Sequence, residues 1–150
     1  MRSSSPTPTL FLIAALAGAM PASAAELAPH RAIYRMSLSR ASHGSDVVGA
    51  DGLMYYRFEK TCDGWTVENK TALRLIYEDD SESSTVWTFA SWEPFDGRRF
   101  RFGARYVQDG DNVETLTGTA TLARVGGAGV ARFREPPNKE IALPAGTVFP

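Results

Sequence analysis

The sequence predicts an all-β fold, in the form of one curved antiparallel meander. Apolar and polar residues alternate with period two over several long stretches, as in strands with one dry face and one wet face. Asp-Gly and Gly-Gly pairs separate these stretches at near-regular spacing, and no window shows a helical period. Long antiparallel strands with one aromatic face tend to wrap, so we expect a half-barrel or β-spiral.

The meander is organised around a central hairpin. Residues 47–59 and 65–77 read as two long strands that meet at the turn Thr61-Cys62-Asp63-Gly64. An Asp-Gly pair between alternating runs is a strong hairpin signal, and we expect Gly64 to supply a positive φ. Glycines at 49 and 52 predict a bulge or bend early in the first of these strands.

The other strands follow from the same alternation and from further glycine turns. They are predicted at residues 32–39, 84–92, 98–108, 112–123 and 130–134. After Pro136-Pro137 no strand is predicted, because two prolines remove backbone donors. The sequence stops at Pro150 without a terminating element, so we expect a truncated domain with a poorly protected tail.

The first 24 residues have the pattern of a secretory signal peptide. Arg2 supplies a positive start, residues 10–20 are apolar, and Ala22-Ser23-Ala24 is a small-residue cleavage site. We therefore expect an exported domain at residues 25–150 that has no membrane-spanning segment. The net charge of −1 offers no basic excess, which argues against a nucleic-acid partner.

No catalytic motif is visible, and the candidate metal ligands are weak. They are His30, His43, the acidic group Glu78, Asp79, Asp80 and Glu82, and the group Asp109-Gly110-Asp111-Asn112. The acidic groups lack the spacing of a calcium loop and read as solvated turns. The histidines read as loop residues. We expect no catalytic, cofactor or metal site.

Two surface patterns leave alternatives open. Arg98, Arg99, Arg101 and Arg105 are either the solvent side of a strand or a basic stripe for an anionic partner, such as lipid head groups or a glycan. The aromatic face either fills a core, its own or shared with a missing half, or stays open for an acyl chain or a partner. Its residues are Met54, Tyr56, Phe58, Trp65, Phe100, Phe102 and Tyr106.

Several separate motifs together resemble one known family, the cell envelope integrity family EipB. They are Leu27-Ala28-Pro29-His30-Arg31-Ala32-x-Tyr34, Thr61-Cys62-Asp63-Gly64-Trp65, Phe89-x-x-Trp92-Glu93-x-x-Asp96-Gly97, Gly118-x-Ala120-x-Leu122, Gly126-Gly127-x-Gly129-x-Ala131-x-Phe133 and Leu143-Pro144-x-Gly146-Thr147-x-Phe149-Pro150. The resemblance implies a periplasmic, non-enzymatic protein of Gram-negative bacteria that supports envelope integrity. It also implies a long β-spiral, similar in shape to the lipoprotein carriers LolA and LolB.

The resemblance also bears on Cys62, the single cysteine of the chain. Cys62 matches the first cysteine of the family disulfide, and the second, near the C-terminus of the family, is absent here. We therefore expect an N-terminal fragment that forms Cys62–Cys62 dimers under oxidising conditions.

The sequence leaves two functions open. One is the binding of an envelope component or a partner protein. The alternative is the carriage of lipid or lipoprotein acyl chains in the manner of LolA and LolB. An enzyme is disfavoured, because no nucleophile and base are paired in any motif.

Overall fold

A computed structural model describes residues 28–150, so the predicted signal peptide lies outside the described residues. The described chain forms one antiparallel sheet in which every strand pairs with its neighbours in sequence, so the predicted all-β meander is confirmed. The strands are β1 His30–Ser37, β2 Val47–Lys60, β3 Gly64–Tyr77, β4 Glu82–Pro94, β5 Arg99–Gln108, β6 Asp111–Leu122, β7 Gly129–Glu135 and β8 Glu140–Leu143.

The sheet is open, because β1 and β8 occupy its two edges and do not pair with each other. Three strands are more than twice the usual length of 5 to 6 residues: β2 and β3 have 14 residues each and β4 has 13. The register between β2 and β3 shifts between Val47 and Gly49, so the bulge expected from the early glycines is present.

The register gives the sheet two chemically different faces. Residues directly opposite on neighbouring strands share a face, so Phe58 lies beside Val67 and Thr71 beside Trp87. We call this side the aromatic face, since the ring stacks of the strands lie on it. The other side, which we call the ion-pair face, carries Arg57 opposite Glu68 and Arg74 opposite Asp51.

Cross-strand ion pairs line the ion-pair face. They are Arg31–Glu59 at 2.6 Å, Arg57–Glu68 at 2.9 Å, Arg74–Asp51 at 2.8 Å and Arg132–Glu140 at 2.8 Å. Their side chains are at least 30% exposed to solvent, so water screens each pair and its contribution to stability is small. The ion pairs therefore show that this face is turned to solvent, and they are not the main source of stability of the fold.

The described sheet has a very small core. Its buried apolar residues are Phe58, Ala120, Leu122 and Ala131, and among the described residues no large side chain is fully buried. All four lie on the aromatic face by register. Most other side chains of that face are half-buried, so the face is packed laterally by its own rings without being covered from above.

Gly64 does not have the role expected from sequence. Its φ is not positive, since it already belongs to β3. A Cβ at this position would run into the carbonyl oxygen of Glu93 on β4. Glycine is therefore required for close approach of two backbones and not for turn geometry.

The Asp109-Gly110 turn, by contrast, follows the hairpin rule. Asp109 has φ 50° and Gly110 has φ 90°, the two positive values that a type I′ turn needs. The Asp109 carboxylate accepts hydrogen bonds from the Ser84 backbone N–H at 2.6 Å and from the Ser83 hydroxyl at 3.2 Å. The acidic side chain therefore fastens the turn to β4.

The prediction that no strand follows Pro136 is wrong. β8 pairs with β7 over residues 140–143, and the Gly146 N–H donates to the Gly126 carbonyl at 2.9 Å. Phe149 stacks on Phe100 of β5, with ring centroids 5.3 Å apart. The two prolines occupy the connection between β7 and β8, where missing backbone donors cost the sheet nothing.

Candidate functional site

The aromatic face carries a first cluster of rings beside the Cys62 turn. Phe58 and Trp65 stack with centroids 5.0 Å apart and planes at 16°, and the edge of Phe95 meets Trp65 at 5.7 Å. His30 packs against Tyr56 at 5.3 Å. Rings at such distances contribute about 0.5–1.5 kcal/mol per pair beyond the area they bury, so the cluster is a stable apolar platform.

Two charged groups border this first cluster. The Lys60 ammonium lies 5.3 Å from the centre of the Trp65 ring and 5.5 Å from that of Phe95. A cation over an aromatic face is attracted to its electrons. Glu93, directly opposite Trp65 on β4, is partly buried, and this desolvation raises the pKa of its carboxyl above the ordinary value. The cluster therefore has a polar rim around an apolar centre.

A second cluster lies on β5 and β7. Phe100 and Phe102 are 6.0 Å apart, the edge of Phe133 meets Phe102 at 5.4 Å, and Phe149 covers Phe100. Gly118 lies opposite Phe102 on β6, and a Cβ there would be 2.7 Å from the phenyl ring. The glycine thus makes room for the ring.

Outside the two clusters, large rings of the aromatic face stay accessible. Trp87 packs against Tyr106 at 6.1 Å, yet 40% of Trp87 is exposed. Tyr34 on the edge strand β1 is 51% exposed. Large rings that remain this accessible are the features expected of a contact surface.

The structure places all seven residues of the predicted hydrophobic face on the aromatic face. Tyr56, Phe58 and Trp65 belong to the first cluster, and Phe100 and Phe102 to the second. Met54 lies opposite Tyr34 and Thr71, while Tyr106 lies opposite Trp87. They form a band across β2, β3 and β5.

The seven residues predicted from sequence leave out several members of this face: His30, Tyr34, Trp87, Phe95, Phe133 and Phe149. Trp87 was ambiguous because β4 carries large apolar residues on both faces, so alternation alone did not decide between them. Phe133 continues the alternation of β7 and could have been found. Phe149 carries no local signal, because it lies outside any strand.

Cys62 lies at the exposed tip of the central hairpin and is a free thiol in the described chain. The turn is held by Thr61, whose hydroxyl donates to the Asp63 carboxylate at 2.9 Å and lies 3.1 Å from the Gly64 N–H that donates to it. The thiol therefore lies on a hydrogen-bonded turn and is exposed to solvent.

The other candidates from sequence do not converge. His30 Nδ1 is 2.9 Å from the Ala28 carbonyl oxygen, and His43 is exposed in the loop between β1 and β2. The Asp79 carboxylate accepts a 2.6 Å hydrogen bond from the Ser81 hydroxyl, which lowers the pKa of Asp79 and orders the acidic turn. Within residues 28–150 no group of three potential ligands could hold a metal ion.

The structure also revises the arginine stripe. Arg98 precedes β5 and binds Asp96 of its own turn at 3.0 Å, so it does not belong to the row. Arg99, Arg101 and Arg105 do share the ion-pair face. No helix in the described part of the chain has the length and apolar character needed to cross a membrane.

Comparison with known proteins shows the family to which this fold belongs. The family model described as EipB-like matches residues 21–150. The chain belongs to the EipB-like family. It is 34% identical over 144 residues to the cell envelope integrity protein EipB of Brucella abortus (strain 2308), an alignment that covers 95% of this chain and 50% of that relative.

A solved structure agrees with this family. The chain is similar to the crystal structure of a β-barrel-like protein of the domain of unknown function DUF1849 from Brucella abortus, with a TM-score of 0.72 and 32% identity. The match covers 81% of this chain and 50% of that one. The EipB-like chain thus spans about half the length of the relatives it matches.

Proposed function

We propose that this protein is a periplasmic, non-enzymatic protein that supports cell envelope integrity by binding an envelope component or a partner protein. Membership of the EipB-like family supports the role, because the Brucella relative is named a cell envelope integrity protein. The predicted signal peptide at residues 1–24 supports the periplasmic location.

One observation carries the proposal: the aromatic face is broad and is left half-uncovered. Only four apolar residues of the described sheet are buried, although rings run from β1 to β7 on one side. Each Å² of apolar surface removed from water lowers the free energy by roughly 25 cal/mol, so a ligand or partner that covers this face binds favourably. Trp87 and Tyr34 are the rings it would contact first.

The surroundings of the histidines support binding over catalysis. His30 is engaged by the Tyr56 ring and the Ala28 carbonyl, and His43 lies in the polar loop between β1 and β2. Among the described residues, neither ring forms a hydrogen bond with a hydroxyl or thiol that it could activate. The apolar face with its charged rim is the arrangement of a recognition surface.

Genetic complementation with a matched pair of variants tests the proposal. Trp87 is 40% exposed on the aromatic face, and Tyr55 is 37% exposed on the ion-pair face. In the native host lacking its own copy, we expect Y55S to restore survival in outer-membrane detergent stress and W87S to fail at equal protein level. If both variants restore survival, the aromatic face is not the functional surface.

Carriage of acyl chains is the second candidate function, and the continuous apolar band of rings favours it. A flexible acyl chain could lie along Tyr56, Phe58 and Trp65 without a specific polar contact. Native mass spectrometry of protein isolated from the periplasm distinguishes this candidate. Lipid that is bound to the wild-type protein and absent from W87S supports carriage. Carriage is excluded if the wild-type protein is isolated without lipid although it restores survival in cells.

A further inference from the structure

The arginines of the ion-pair face differ in whether they have a carboxylate partner. Arg31, Arg57 and Arg74 are paired, and so is Arg132 on β7. Arg35, on the edge strand β1, has no carboxylate partner among the described residues. Four arginines near β5 and β7 have no carboxylate within 4.0 Å among the described residues. They are Arg99, Arg101, Arg105 and Arg134. At one end of this face, therefore, four guanidinium groups have no direct ion-pair partner among the described residues.

The sheet register brings these cations together with a row of hydroxyl groups. Threonines occupy every ion-pair-face position of β6 from 115 to 121, and Arg99, Arg101 and Arg105 lie opposite three of them. These threonines are Thr115, Thr117, Thr119 and Thr121. A threonine ladder flanked by arginines offers many donors and acceptors on one surface.

A groove of about 380 Å³ runs through this patch, and we call it the arginine groove. Among its lining residues are Trp92, Arg101, Arg134, Thr117 and Thr119. Its volume lies within the usual range of small-molecule sites, roughly 300–1,000 Å³. The one acidic residue in its lining, Glu68, is already paired with Arg57 at 2.9 Å.

The groove wall includes an aromatic ring held by a cation. The guanidinium carbon of Arg101 lies 5.0 Å from the centre of the Trp92 ring. This contact fixes both side chains at the groove, although Trp92 belongs to β4 and Arg101 to β5. Ala90 and Gly103, directly opposite each other, leave space beside them.

These three kinds of group together select one chemical class of ligand. Guanidinium groups bind carboxylate or phosphate in a fork geometry, and threonine hydroxyls pair with the hydroxyls of a sugar. The face of an indole packs against the apolar side of a sugar ring. We propose that the arginine groove binds an acidic saccharide, a sugar chain that bears carboxylate or phosphate groups.

A simple anion would use the arginines and leave Trp92 and the threonines without a role. A nucleic acid would need positive charge along a longer track, and the net charge of −1 opposes it. The groove lies on the side of the sheet opposite the aromatic face. The proposal therefore does not rest on the function proposed for that face.

Calorimetric titration of the full chain with trigalacturonate at low salt tests the proposal. We expect binding that weakens about tenfold or more in R101Q and in R134Q, since each loses charge-assisted hydrogen bonds. We expect W92L to weaken binding by a similar factor. The matched control is R35Q, which removes an exposed and unpaired arginine of the same face far from the groove, and we expect less than a twofold change.

Three further probes decide between ligand classes. Neutral maltotriose should bind at least tenfold more weakly than trigalacturonate. The proposal is overturned if citrate binds as tightly as trigalacturonate and W92L has no effect, because the groove is then a simple anion site. Tighter binding of single-stranded DNA, or no binding of trigalacturonate by folded protein at millimolar concentration, overturns it as well.

Discussion

The indole ring of Trp65 stacks on the phenyl ring of Phe58 at a centroid distance of 5.0 Å, from opposite sides of the turn that holds Cys62. The stack and the hydroxyl of Thr61 tie β2 to β3 on both sides of the turn. Cys62 is left exposed at the tip, outside the apolar platform. The hairpin is thus held by contacts on both sides of a turn whose thiol is exposed to solvent.

We expect Cys62 to form disulfide-linked dimers of residues 25–150 under oxidising conditions. The thiol is exposed and lies on a turn that another copy can approach without disturbing the sheet. Non-reducing gel electrophoresis and light scattering measure the dimer, and C62S is the control that should remain monomeric. A wild-type thiol that does not react with a thiol reagent in the folded protein would contradict this prediction.

Gly64→Ala should destabilise the fold by about 2–3 kcal/mol or more, because the new methyl group meets the Glu93 carbonyl and separates β3 from β4. Gly103→Ala is the matched control. Its Cβ would have only the Thr117 methyl group nearby, at 3.9 Å, so its stability should change by less than about 0.5 kcal/mol. Urea unfolding of both variants gives the comparison, and equal losses would refute the close-approach explanation.

Phe149→Ala should release the segment after β8. The ring of Phe149 stacks on Phe100, whereas its neighbour Val148 is 66% exposed. We expect hydrogen exchange of the Gly146 amide, which donates to Gly126, to accelerate in F149A and to stay unchanged in V148A. An unprotected Gly146 amide in the wild-type protein would contradict this account and agree with the poorly protected tail predicted from sequence.

Two acids near the β4–β5 turn should have pKa values that are shifted in opposite directions from their ordinary values. The Arg98 backbone N–H, and then its side chain, lower the pKa of Asp96, while burial raises the pKa of Glu93. Asp96 therefore contributes stability above its unfolded pKa, which is lost as pH falls through its folded pKa. Glu93 favours the folded state at low pH, and this contribution is lost as pH rises through its raised pKa.

Carboxyl carbon shifts, followed by NMR between pH 2 and 7, measure both midpoints. In R98Q the Asp96 midpoint should rise toward its ordinary value and remain below it, since the backbone hydrogen bond persists. The Glu93 midpoint should not move in R98Q. An Asp96 midpoint at or above the ordinary value in the wild-type protein would show that the turn does not hold the carboxylate.

The sheet was predictable from sequence because its determinants are local. Alternation placed Phe100 and Phe102 on one face and Arg101 on the other, and Asp109-Gly110 marked a turn that the backbone confirms. β8 was missed because it is only four residues long and follows two prolines. Its stability comes from pairing with β7, which no local pattern reports.

The less predictable features of the site depend on pairing between strands. The face of Trp87 is settled only by its position opposite Thr71 and Tyr106. The arginine groove arises because Arg101 and Arg134 are brought to one surface across β6, although they are distant in sequence. Such convergence follows from register, which sequence alternation alone does not supply.

Photo-crosslinking in living cells tests the central claim most directly, namely that the aromatic face is the surface that contacts the envelope. Benzoylphenylalanine replaces Trp87 on that face or, as the matched control, Tyr55 on the ion-pair face. The account predicts a discrete crosslinked product, protein or lipid, from position 87 and none from position 55. Equal products from both positions, or none from position 87 in a folded and exported protein, would contradict it.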